Sequence, residues 1–199
     1  MDIKNNQEDR TRNEEFSLGL DISTSVVGVC VLDQKGNMVE LFPLFPKGNN
    51  LFDKAENVFN SLFLTLQTKN IQFANIKHVF VEENAKRFAV GKTSADVILT
   101  LAKMNGILSY LVSRSICKNI VNINVTKARS AIGFKDKKGT GKSAKERLLE
   151  ENMKKYPQFP WVTHIAKAGK NKGQRVFDEC NKDMNDAFVI CRGGQIITL

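Results

Sequence analysis

The stretch Phe16-Ser-Leu-Gly-Leu-Asp21-Ile-Ser-Thr-Ser-Val-Val-Gly28-Val-Cys-Val-Leu32 decides the fold. Up to Asp21, large apolar residues (Phe16, Leu18, Leu20) alternate with small ones (Ser17, Gly19), the two-residue period of a strand. Asp21 falls on the small-residue face, where a metal ion or a phosphate has room. A Ser-Thr-Ser turn follows, and Val26 to Leu32 is the near-continuous apolar run of a buried central strand. Asp33-Gln-Lys-Gly-Asn37 supplies a second turn, and Met38 to Phe45 reads as a third strand, ended by Pro43 and Pro46. The chain opens as an antiparallel meander.

Beyond the meander, helix and strand alternate. Leu51 to Leu66 has apolar residues at helical spacing, and His78 to Glu82 is a short strand. Thr93 to Arg114 reads as a long helix with the stripe Val97, Leu101, Met104, Leu108 and Leu111. Ile120 to Val125 is a strand, and Thr126 caps a short helix through Ile132. Lys135 to Lys142 is a polar loop, and Ser143 caps a helix through Lys154. Pro157 to Arg175 looks irregular, and a last helix from about Glu179 to Arg192 is stopped by Gly193-Gly194. The order predicts an α/β fold: a mixed five-stranded sheet, a three-strand antiparallel meander plus two parallel strands, flanked by helices. One domain is expected over 16–199, behind a disordered leader at 1–15.

Four acidic residues sit where these elements would aim them at one place. Asp21 interrupts an apolar strand, and an unpaired buried carboxylate there is penalised. Glu82 ends the strand His78-Val-Phe-Val-Glu82, with Glu83 beside it as an alternative, since strand alternation puts only one of the two on the Asp21 side. Asp183 and Asp186 are three apart on a helix and share a face. Their other reading is an acidic first turn complementing the helix dipole. Crowded carboxylates need a cation, and Mg²⁺ takes carboxylate oxygens while keeping waters, so the cluster suits a two-metal phosphodiester site.

Charge points to the substrate. The chain of 199 residues carries a net +9, but residues 118–175 hold 15 Lys/Arg against 4 Asp/Glu, an excess of +11. The remainder therefore sums to −2. A cationic third beside a carboxylate cluster suits a polyanion drawn to a metal site. No uncharged apolar stretch approaches the ~20 residues of a membrane span, and the first residues lack the apolar core of a secretory signal. Cys30, Cys117, Cys180 and Cys191 form no CxxC pair and read as reduced thiols of an intracellular protein. With only His78 and His164, a zinc site is not expected.

Four segments, in order, resemble the RuvC-type Holliday junction resolvases of the RNase H-like superfamily. Leu18-Gly-Leu-Asp21-Ile-Ser-Thr-Ser-Val-Val-Gly28 resembles the family's first hairpin, and Val79-Phe-Val-Glu82 its Glu-bearing strand end. Val125-Thr-Lys127 with Gly139-Thr-Gly-Lys-Ser-Ala-Lys145 resembles the basic segment after the fifth strand. Asp183-Met-Asn-Asp186-Ala187 resembles the D-x-x-D-A start of the last helix. The resemblance spans about residues 16–191, with Ser23-Thr24 in place of the Pro-Gly common in bacterial members.

The resemblance implies an RNase H-like nuclease that resolves four-way DNA junctions as a homodimer. It implies two Mg²⁺ or Mn²⁺ ions held by Asp21, Glu82, Asp183 and Asp186, and 5′-phosphate and 3′-hydroxyl ends. In the basic segment, Lys142 and Lys145 would contact the scissile or adjacent phosphates, with Lys138 a further contact to the nucleic acid. Lys145 also joins the four acids as catalytic. Lys127 matches a family basic position. Lys86-Arg-Phe88, with Arg87 between, places an aromatic among cations, suited to stacking on an unpaired base, unless Phe88 is a core anchor. Gly139-Thr-Gly-Lys-Ser143 is not a P-loop, because Asp136 stands where a glycine is needed and no strand leads directly into it. No nucleotide cofactor is therefore expected. Other readings are a related nuclease for RNA–DNA hybrid, flap or RNA, a non-cleaving binding module, and an actin-like kinase, whose second lobe 199 residues cannot hold.

Overall fold

The structure, a computed structural model, describes residues 14–83, 95–136 and 141–199. In chain order it contains β1 (Phe16–Ile22), β2 (Val27–Asp33), β3 (Met38–Leu44), α1 (Leu51–Thr68), a 3-10 turn (Phe73–Asn75), β4 (Ile76–Glu82), α2 (Ala95–Ser115) and β5 (Ile120–Ile123). These are followed by α3 (Val125–Ala131), α4 (Ala144–Lys155), β6 (Thr163–Ile165), β7 (Arg175–Phe177) and α5 (Asn181–Thr198). The five-stranded sheet has the order β3-β2-β1-β4-β5, antiparallel from β3 to β1 and parallel from β1 to β5. This is the RNase H-like α/β arrangement predicted from sequence. Residues 1–13 of the expected leader lie outside the described residues.

Alternation along β1 sorts its side chains between two cores. Phe16, Leu18 and Leu20 join Val79, Val81 and the buried stripe of α1 on one face of the sheet. On the other face Cys30, Leu32 and Phe80 pack against Met184, Ala187, Phe188 and Cys191 of α5. α5 also carries α3 and α4 on its flank. Small residues let α5 lie almost on the strands: a Cβ at Gly19 would meet Cys191 Cβ at 2.4 Å, and one at Gly28 would meet the Asp183 carbonyl oxygen at 2.0 Å.

Gly193 and Gly194 do not stop α5, which runs on to Thr198. A Cβ at Gly193 would strike Ala128 at 2.6 Å, and one at Gly194 the Phe80 ring at 2.5 Å. They are contact glycines inside the helix, where α3 and β4 press on it. Three further expectations shift. Residues 163–177 form a small antiparallel hairpin, β6–β7, rather than irregular chain. Asn124, not Thr126, caps α3, its side chain accepting from the Thr126 and Lys127 amides. In α2 the buried residues are Met104, Asn105, Leu108 and Val112, while Val97 is exposed. By length and composition alone α2 would suffice to cross a membrane; here its buried stripe packs against α1 and the sheet. The Ser143 cap holds as expected, in a full capping box with Glu146.

Candidate active site

Three elements deliver the acids to one end of the sheet. Asp21 stands near the end of β1, directly opposite Gly28 of β2 in the antiparallel register. The last parallel pair between β1 and β4 is Leu20↔Val81, so Glu82 emerges beside Asp21 on the Phe80 face, toward α5. Asp183 lies in the first turn of α5 and Asp186 one turn further, buried. The β1–β2 turn is shaped by Ser23, whose hydroxyl donates to the Val26 carbonyl (2.6 Å) and accepts from the Val26 amide (3.0 Å).

Lys145, in the first turn of α4, reaches into the centre of the acids. Its ammonium lies 2.8 Å from Asp186, 3.2 Å from Asp183 and 3.8 Å from Asp21. Arg129 of α3 backs Asp186 at 3.4 Å. Four carboxyl groups thus face two cations, Lys145 and Arg129. Burial pushes the Asp21 carboxyl well above the ordinary carboxylate range; Lys145 opposes this, while Asp186, Glu82 and Asp183 add to it. Burial and Asp186 raise Glu82, partly offset by a side-chain hydrogen bond with Asp21 and by Lys145 and Arg129. Burial alone would lower the Lys145 ammonium; Asp186, Asp21 and Asp183 outweigh it and hold the lysine firmly charged.

The acids open into a cleft of about 260 Å³, lined by Asp21, Ser23, Glu82, Glu83, Lys145, Asp183 and the α2 residues Ile98, Leu101 and Asn105. Asn105, which sequence reasoning missed, donates from Nδ2 to the Glu82 carbonyl (3.1 Å) and so fixes the end of β4. Glu83 also lines the cleft, and its carboxylate accepts from Asn124 Nδ2 at 3.4 Å. Among the described residues no three Asp, Glu, His or Cys side chains stand as a ready metal ligand set. The cation at the centre of the acids is Lys145. A larger hollow of about 330 Å³ among α3, α4 and α5 holds none of the sequence-predicted site residues.

The remaining basic candidates are less closely gathered. Lys127 is exposed at the start of α3. Lys142 is exposed and ion-paired with Glu150. Lys86, Arg87, Phe88 and Lys138 lie outside the described residues. Arg129 was missed in the sequence, where nothing distinguishes it from its basic neighbours.

No family model matches the chain, and no curated protein matches it by sequence. Solved structures do match its fold. T. thermophilus RuvC in complex with Holliday junction substrate aligns over 92% of this chain and 93% of its own, at 10% identity and a TM-score of 0.56. A Thermus thermophilus RuvC structure aligns over 91% and 93%, at 12% identity and a TM-score of 0.52. At such identity the likeness is one of fold: the chain has the RNase H-like architecture of RuvC across nearly its whole length.

Proposed function

We propose that this protein is a divalent-cation-dependent endonuclease that cuts four-way DNA junctions at paired sites. The observation that carries the reading is the convergence of Asp21, Glu82 and Asp183 on one cleft, with Asp186 buried behind them, so that the acids outnumber the cations Lys145 and Arg129. Hard carboxyl oxygens gathered in that excess fit Mg²⁺ or Mn²⁺, and these four residues would hold the ions. When bound, a pair of such ions supplies the activation of the attacking water and the neutralisation of the leaving 3′-oxygen.

The chain's own groups do the rest. Asp21, raised by burial and by its acidic neighbours, gains most from added positive charge. Arg129 holds Asp186 from behind, and Asn105 holds the strand end that presents Glu82. Lys145 keeps its proton and is placed to meet a phosphate oxygen once the carboxylates have other partners. Ile98 and Leu101 give the cleft an apolar wall that limits water. Hydrolysis in this setting leaves 5′-phosphate and 3′-hydroxyl ends.

The choice of four-way junctions follows from the fold shared with RuvC and from the cationic third of the chain. Two opposed cuts ask for two sites, hence a two-fold dimer. We assign its interface to the outward face of α2, where Leu99 and Tyr110 are exposed. Four unpaired thiols, three of them buried, suit a reducing intracellular compartment.

The test is an Asp21→Asn variant with a four-way junction, a flap, a hybrid duplex and RNA, in Mg²⁺ and in EDTA. Wild type is expected to cut the junction at symmetric positions only with metal. The variant is expected to bind it and leave it intact. Undiminished cutting by the variant, or cutting in EDTA, overturns the site; preference for another substrate overturns the junction assignment alone.

A further inference from the structure

The cationic third does not end at the cleft. From Asn152 to Phe177 the sequence contains no acidic residue, and Lys167, Lys170, Lys172 and Arg175 all fall on the β6–β7 hairpin. The lysines lie in its tip, residues 166–174, and are exposed. Among the described residues the hairpin's ion pair is at its root, His164 Nδ1 to Asp178 Oδ2 at 3.0 Å, and the tip lysines have none. Unpaired like charges held together repel one another, so a fold gains nothing from them without a polyanion.

One face of the hairpin is chemically distinct. In the register Thr163↔Phe177 and Ile165↔Arg175, these four side chains share a face, with His164 and Val176 on the other. Ile165 is 53% exposed and Phe177 56% exposed. An exposed aromatic beside an arginine and an aliphatic residue, backed by lysines, combines a stacking platform with phosphate contacts.

The root of the hairpin is fixed to the catalytic helix. Asn181, buried in the first turn of α5, clamps Val162 from both sides: its Oδ1 accepts from the Val162 amide and its Nδ2 donates to the Val162 carbonyl, each at 2.8 Å. The Asp178 amide also donates to the Val162 carbonyl (3.0 Å). Asp183 follows Asn181 by two residues, ~3 Å along the helix axis. The arm is thus set rigidly against the end of the helix that carries Asp183 and Asp186.

We propose that β6–β7 is a second nucleic-acid contact, in which Lys167, Lys170, Lys172 and Arg175 hold the phosphate backbone beside the cleft and Phe177 stacks on an unpaired base. This deepens the nuclease reading and rests on it. Neither the lysines nor Phe177 belong to the carboxylate site, so the two can fail separately.

The experiment measures binding of a labelled four-way junction by the full chain in EDTA, across a salt series. The triple variant K167A/K170A/K172A is expected to bind about 10-fold or more weakly, with a salt slope shallower by about 0.9 for each phosphate no longer neutralised. The control K35A/K47A/K54A removes the same charge from the other part of the chain and is expected to stay close to wild type. Phe177→Ala is expected to lose about 5- to 100-fold with the slope unchanged. Melting curves of all variants should match wild type, since the altered side chains are exposed or only partly buried. Wild-type affinity and slope in the triple variant overturns the proposal, and so does an equal loss in the control. So does an effect confined to Phe177, which would leave the lysines of the tip without a phosphate contact. A wild-type chain that binds no nucleic acid overturns the nuclease reading itself.

Discussion

Gly28→Ala isolates the link between a small residue in a strand and the geometry of the acids. Gly28 faces Asp21 across the β1–β2 ladder, and an added Cβ would lie 2.0 Å from the Asp183 carbonyl oxygen, 2.4 Å from its carbon and 2.9 Å from the Met184 nitrogen. All three atoms are backbone, so no side chain can turn away. Restoring an ordinary contact of 3.4 Å moves the first turn of α5 outward by more than 1 Å. Asp183 moves with it, away from Asp21 and from Lys145. Overpacking of this kind costs about 1–3 kcal/mol, which in a domain of this size lowers the melting temperature by about 2–4 °C per kcal/mol. A misplacement of ~1 Å between reacting groups costs about 100-fold in rate. The assay pairs a thermal melt with single-turnover junction cleavage in Mg²⁺. Wild-type melting would refute the packing argument. A lowered melting temperature with wild-type cleavage would refute the claim that Gly28 sets the spacing of the acids.

Two further outcomes follow from charge. Lys145→Gln removes the ammonium from among three carboxylates, so the metal-free protein should melt earlier, by between about 1 kcal/mol for an exposed pair and about 3–5 kcal/mol for a buried one. Its affinity for Mn²⁺, read by calorimetry, should rise while cleavage falls; unchanged affinity would show that the lysine does not share the acids' charge. Asp178 is lowered from its ordinary 3.8, chiefly by the hydrogen bond from the Cys180 amide, with His164 helping. A depressed carboxylate adds stability that is full above its unfolded value and is lost as pH falls through the folded one. Asp178→Asn should therefore melt below wild type at neutral pH, and the gap should close as the pH falls below the ordinary carboxylate range. A gap between the two that does not change with pH would exclude that role.

Much of this molecule was legible where the signal is local. The alternation of Phe16, Leu18 and Leu20 with Ser17, Gly19 and Asp21 fixes a strand and its faces within six residues. The same alternation in β4 brings Glu82 out beside Asp21, toward α5. Ser143 and Glu146 declare a helix start without help from the rest of the chain. What the sequence concealed depends on packing at a distance. Gly193-Gly194 carries the same letters whether it ends a helix or lets Ala128 and Phe80 press against one. Three-residue strands such as β6 and β7 are too short to show a period, and their Lys/Gly-rich tip reads as loop. Arg129 and Asn105 acquire their roles only when α3 docks on α5 and α2 on β4. The four acids and Lys145 were all named from the sequence, but the ion pairs that seat the Lys145 ammonium among Asp21, Asp183 and Asp186 were not, because they form only when α4 docks on α5.

The seam between α5 and the strands has a consequence for how the molecule opens. At Gly19 and Gly28 the strand, and at Gly194 the helix, brings no side chain of its own to the contact. The far end is tied as well, through Gln195 to the Ser17 hydroxyl (3.1 Å) and to the Asp33 carbonyl (2.8 Å). Tied in this way along its length, the helix gives up its contacts with β1, β2 and β4 together when it opens to solvent. Its amides then exchange with solvent through global unfolding, the slowest class of opening. Asp183 and Asp186 therefore ride on the last part of the chain to open, whereas the β6–β7 tip, held by its own turns and solvated throughout, exchanges early. Variation in what the protein grips can accumulate in the second region without disturbing the first.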